Sequence, residues 1–79
     1  MIDNDIQRDF GEQPIARIMA DHNLKPHDIV AASTEQITHK MVAKAIKGRR
    51  LTPHIKIKIL NALNAVSQKN YSLGDLFTY

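Results

Sequence analysis

All three prolines of this 79-residue chain stand at the head of an apolar pattern of helical period, and that placement divides the sequence into short helices. Proline fixes φ near the helical value and lacks only an N–H that a first turn leaves unpaired, so it opens a helix readily and is costly inside one. Behind Pro14, the residues Ile15, Ile18, Met19 and His22 recur at i, i+3, i+4 and i+7, the spacing of one helix face. Asn23 suits the left-handed residue that stops this helix, with Leu24 folding back as the apolar cap contact. Pro26 opens a second, shorter helix in which Ile29, Val30 and Ala32 face inward and Asp28 complements the dipole of the first turn. Thr52 and Pro53 are the N-cap and first residue of a further helix. Its buried stripe is Ile55, Ile59, Leu63 and Val66, flanked by Leu60 and Ala62. Ile57 falls off that stripe and is expected to pack beneath the C-terminal segment, with a contact to another chain as the alternative. Ser67 to Asn70 form a polar connection, after which Ser72 caps a last helical turn that brings Leu73, Leu76 and Phe77 to the core.

The stretch between the last two prolines holds one more helix, stopped by Gly48. At 100° per residue, Ile37, Met41, Val42, Ala45 and Ile46 cluster on one side, which leaves Lys40, Ala43 and Lys47 outward and His39 and Lys44 on the flanks. Two starts compete. Ser33 with Gln36 forms a capping box for a long helix, whereas Thr38 caps a shorter one that follows a turn.

No strand signal interrupts these patterns, and with two Phe, two Tyr and no Trp the core is built from Ile, Leu, Val, Met and Ala, which suits packed helices. The expected fold is all-α, a compact bundle of about five short helices over residues 14–79. It follows an acidic leader, residues 1–13, in which Ile2, Ile6 and Phe10 recur every four residues; this leader is either flexible or a short amphipathic helix. Cysteine is absent and the four histidines lack paired ligand spacing, so no metal or other cofactor is expected. The longest apolar run is far short of a membrane span and the N-terminus is unlike a signal peptide, which points to a cytoplasmic protein with no membrane partner. No nucleophile with its base, glycine-rich phosphate loop or paired acids converge, so neither an enzyme nor a small-molecule substrate is expected.

Charge is placed unevenly. Residues 1–37 hold three cations against seven acids, whereas residues 38–79 hold eight cations against Asp75 alone. A charge run on a helix is usually a solvated face, but solvated faces gain from alternating signs at i, i+4, and no acid lies between Gln36 and Asp75. The basic half therefore suggests a polyanionic partner.

Within that half, "KGRRLTP" resembles the Gly-Arg-Arg-x-x-Pro that often follows the recognition helix of lambda-repressor-like, Cro/C1-type helix-turn-helix domains, and "YSLGDLF" resembles their closing Ser-Leu-x-x-Leu-Phe. The resemblance spans roughly Pro14 to Phe77 and implies a helix-turn-helix fold and a transcriptional regulator, repressor-like, that binds double-stranded DNA. Such modules usually act as homodimers; here the Ile2/Ile6/Phe10 face, Ile57 and the Tyr71–Tyr79 tail are candidate dimer surfaces. The chain departs from the family at "ASTEQIT", which lacks the usual glycine and is about two residues longer, and at Pro26, where a polar residue often approaches a phosphate.

Physical reasoning assigns the same residues. A helix about 10 Å across fits the major groove, where donors on its N-terminal half and exposed face reach base edges. Lys40 and Lys44, four apart, can donate to guanine O6 and N7, Ala43 between them can touch a thymine methyl, and His39 and Thr38 lie at the entering end. Lys47, Arg49 and Arg50 at the helix end are expected on phosphates, with Lys56 and Lys58 extending that contact. The competing expectation is a helical protein-interaction module, for example an antitoxin-like adaptor, that uses the leader or the basic face. RNA binding is a third, weakened by the scarcity of aromatic rings for base stacking.

Overall fold

The structure, a computed structural model, describes residues 10–79, and those residues form five helices and no strand. They are α1 (Pro14–Asp21), α2 (Pro26–Ala32), α3 (His39–Lys47), α4 (Pro53–Ser67) and α5 (Leu73–Leu76). Each proline is the first residue of its helix, as its fixed φ favours. Asn23 takes the left-handed conformation at φ 57°, and the Leu24 amide turns back to the Met19 carbonyl at 2.7 Å, which closes α1. Asp28 caps α2 by accepting from the Lys25 amide at 2.8 Å, and Asp75 does the same for α5 by accepting from the Ser72 amide at 2.9 Å and its hydroxyl at 3.1 Å. Thr52 caps α4 by accepting from the Ile55 amide at 3.3 Å.

The core is a single cluster. Ile15 of α1, Ile29 of α2, Val42 of α3, Ile59 and Leu63 of α4 and Leu76 of α5 are all fully buried in it. Burying an aliphatic side chain of this size contributes about 1.5–3 kcal/mol, so these contacts hold the helices in place. α2 lies across α4 and against α3, while α1 packs on α3 and α5. Met41 and Ile46, on the edges of the α3 stripe, are half-buried, as are Ile55, Leu60 and Val66 of α4. Ile57 does not pack beneath the C-terminal segment; it is 40% exposed. Successive helix residues step by 100°, so Ile57 faces away from Ile55 and Ile59, and the tail crosses α4 at Lys56 instead.

The last residues of the leader make contacts with the helices. Residues 1–9, with Ile2 and Ile6, lie outside the described residues; residues 10–13 are not helical. They run as a strap along the C-terminal end of α3, where the Phe10 amide donates to the Gly48 carbonyl at 2.8 Å and the Gln13 amide to the Ile46 carbonyl at 3.1 Å. The strap thus satisfies carbonyls that a helix end leaves without an intrahelical partner. Gln13 is buried at 2% exposure, and its Oε1 accepts from the Thr78 amide at 2.6 Å and the Thr78 hydroxyl at 3.0 Å. Its Nε2 donates to the Phe10 and Gly11 carbonyls. Phe10 and Gln13, ahead of Pro14, are thus tied to α3 and to the C-terminal tail.

Candidate nucleic-acid interface

The choice of helix start decides which side chains lead the basic face. Thr38 is the cap: its Oγ1 accepts from the Met41 amide at 3.1 Å, and α3 begins at His39. Ser33 is occupied otherwise, accepting from the Glu35 amide at 3.1 Å and donating to the Glu35 carbonyl at 2.7 Å, a local turn that competes with helix. Thr38, His39 and Lys40 are exposed at the N-terminal end of α3, and Lys44 and Lys47 are exposed further along it. Ala43 is half-buried, so its methyl group is a less prominent feature of this face than its neighbours.

At the other end Gly48 is left-handed, φ 81°, and the Arg49 amide returns to the Lys44 carbonyl at 2.9 Å. A Cβ on Gly48 would overlap the Gly11 carbonyl, so the glycine admits both the turn and the strap. Arg49 and Arg50 follow it, both exposed. Lys40, Lys44, Lys47 and Arg50 make no ion pair with any carboxylate among the described residues. Crowded like charges in that arrangement repel one another and are relieved by an external anion.

Lys56 does not belong to this face. Its Nζ donates to the main-chain oxygen of Tyr79 at 2.8 Å and lies 4.4 Å from the centre of the Tyr79 ring, so the tail has captured it. Lys58 is half-buried on α4, and His54 is exposed in its first turn. His22 sits half-buried at the core edge, with its Nε2 2.9 Å from the Tyr71 hydroxyl.

Four residues that sequence reasoning did not place beside the basic face, Phe10, Gln13, Thr78 and Tyr79, gather next to its C-terminal end. Tyr79 donates its hydroxyl to the Arg49 carbonyl at 2.7 Å, its ring stacks on Phe10 with centroids 4.5 Å apart, and Gln13 holds the adjoining Thr78. Burial pushes the Tyr79 phenol up from its ordinary value of 10.0. A hydrophobic pattern carries no signal for such contacts, because they join residues 30 or more positions apart, through polar atoms at Arg49 and Gln13 and through ring stacking at Phe10. Among protein-family models, curated proteins and solved structures, the chain matches none.

Proposed function

We propose that the protein binds double-stranded DNA sequence-specifically through the major groove and acts as a transcriptional regulator, repressor-like, with α2 and α3 as a helix-turn-helix. The observation that carries this reading is the exposed row Lys40, Lys44, Lys47, Arg49 and Arg50 on and just beyond one short helix, in a stretch without an acid from Ile37 to Gly74. α3 is docked by Val42 and Ala45 with its other face open, which is how a recognition helix is presented to a groove. The Ser33–Thr38 connection has no glycine, yet α2 and α3 pack on one another across it.

In this reading His39, Lys40 and Lys44 face base edges, with Thr38 and Ala43 beside them, while Lys47, Arg49 and Arg50 hold phosphates. Lys56 is left out because Tyr79 occupies it. Two copies on a palindrome would place their α3 helices about 34 Å apart.

Titration of labelled duplex DNA over a salt series tests the reading, followed by selection of preferred sites from a random pool. With about three phosphates neutralised per subunit, log K falls with log salt at a slope of roughly −3. Lys40→Ala relaxes preference at one base pair by about 1–3 kcal/mol, whereas Arg50→Ala weakens all sequences alike. No binding at low salt removes the reading, and binding without an enriched motif removes its sequence-specific part.

A further inference from the structure

Arg49 and Arg50 lie outside any helix, directly after the glycine stop of α3, yet the Arg49 main chain is held on both sides. The Arg49 amide donates to the Lys44 carbonyl at 2.9 Å, and the Arg49 carbonyl accepts from the Tyr79 hydroxyl at 2.7 Å. Both peptide groups that flank the Arg49 Cα are therefore fixed, and the second of them also carries the Arg50 amide. Leu51, buried at 8% exposure, anchors the stretch on its far side.

Tyr79 is gripped in turn. Phe10 stacks on its ring at an interplanar angle of 9°, Lys56 Nζ lies over it, and the neighbouring Thr78 amide is bound to the buried Gln13. This clasp is poor core packing, since Phe10 remains 45% exposed. What it supplies is direction. A guanidinium on a fixed main chain loses less conformational freedom on meeting a phosphate than one on a mobile loop, and its planar fork rewards correct aim.

Resting on the DNA-binding reading above, we infer that Tyr79 is a positioning residue for phosphate recognition, acting through the Arg49 carbonyl to aim the Arg49 and Arg50 side chains. The hydroxyl is the active part of the device, while Phe10, Lys56 and Gln13 keep it in place.

Tyr79→Phe tests this, because it retains the ring that stacks on Phe10 and removes only the group that holds Arg49. Thr78→Val is the companion: it removes the 3.0 Å hydroxyl contact to Gln13 from the same clasp and leaves the Arg49 carbonyl held. The full chain and both variants are titrated with random duplex DNA over a salt series, at a temperature where circular dichroism shows all three folded. Tyr79→Phe is expected to bind roughly two- to tenfold more weakly. Its salt slope should be shallower by up to about 1, with the selected motif unchanged and Thr78→Val close to wild type. Wild-type affinity and slope in Tyr79→Phe would overturn the positioning role and leave DNA binding standing, as would an equal loss in Thr78→Val. Failure of the wild-type chain itself to bind at low salt would remove both.

Discussion

Gly48 meets two demands that no other residue type meets together. Its φ of 81° is a left-handed value that costs a side-chain-bearing residue about 1–2 kcal/mol, and the space a Cβ would fill is taken by the Gly11 main chain. Gly48→Ala therefore displaces the strap as well as straining the turn, with loss of the Phe10 to Gly48 hydrogen bond. Urea unfolding should show the variant less stable by about 2–3 kcal/mol. A change below about 0.5 kcal/mol would mean that the strap does not press on the glycine. Of these two demands the turn was legible in the sequence, because a glycine after an apolar stripe is a helix stop, and the close approach was not. Gln13 shows the same limit: a glutamine ahead of a helix reads as surface, and only Thr78, 65 residues later, gives its carbonyl oxygen a reason to be buried.

Helix boundaries were legible where the terminating chemistry is local. Pro14, Pro26 and Pro53 open their helices, and Thr38, Thr52 and Gly48 end the ambiguity at theirs through bonds within three or four residues. Ser33 and Thr38 were equally good caps on paper, since each is a hydroxyl residue before an apolar stripe, and the turn that Ser33 makes with Glu35 decides between them. The consequence is measurable. Thr38→Ala should lower stability by about 1 kcal/mol in denaturant unfolding, whereas Ser33→Ala should stay within about 0.5 kcal/mol of wild type. The reverse order would place the start of α3 near Thr34. For the basic face, the sequence pattern located the cations of α3 correctly on an exposed side, but Lys56 is diverted to Tyr79 by a contact 23 residues away that no helical period encodes.

Across the whole molecule, the strap closes on the Gly48 carbonyl and the tail on the adjoining carbonyl of Arg49, and this joins alkaline stability to the candidate interface. The Tyr79 phenol is half-buried, and its partial loss of solvent raises its folded pKa above that of the unfolded chain. A group shifted in this direction adds stability that is fully present below the unfolded value of about 10 and is lost as pH rises through the folded value. Thermal unfolding of wild type and Tyr79→Phe should therefore differ by a constant amount below about pH 10, with the wild-type advantage shrinking above it. A difference that stays level across that range would mean the phenol is not protected. Comparing the two chains at each pH cancels the titration of the lysines, which is common to both.

The clasp also imposes an order in time. Contacts between Gln13 and Thr78 join positions 65 apart, and closing so large a loop becomes favourable only after the helices between have assembled. During synthesis, a chain that has reached Arg50 already holds every cation of the α3 face, but the hydroxyl that fixes the Arg49 carbonyl is still 29 residues from being made. A growing chain thus passes through a stage in which the cations of the α3 face are all present and the hydrogen bond to the Arg49 carbonyl is not.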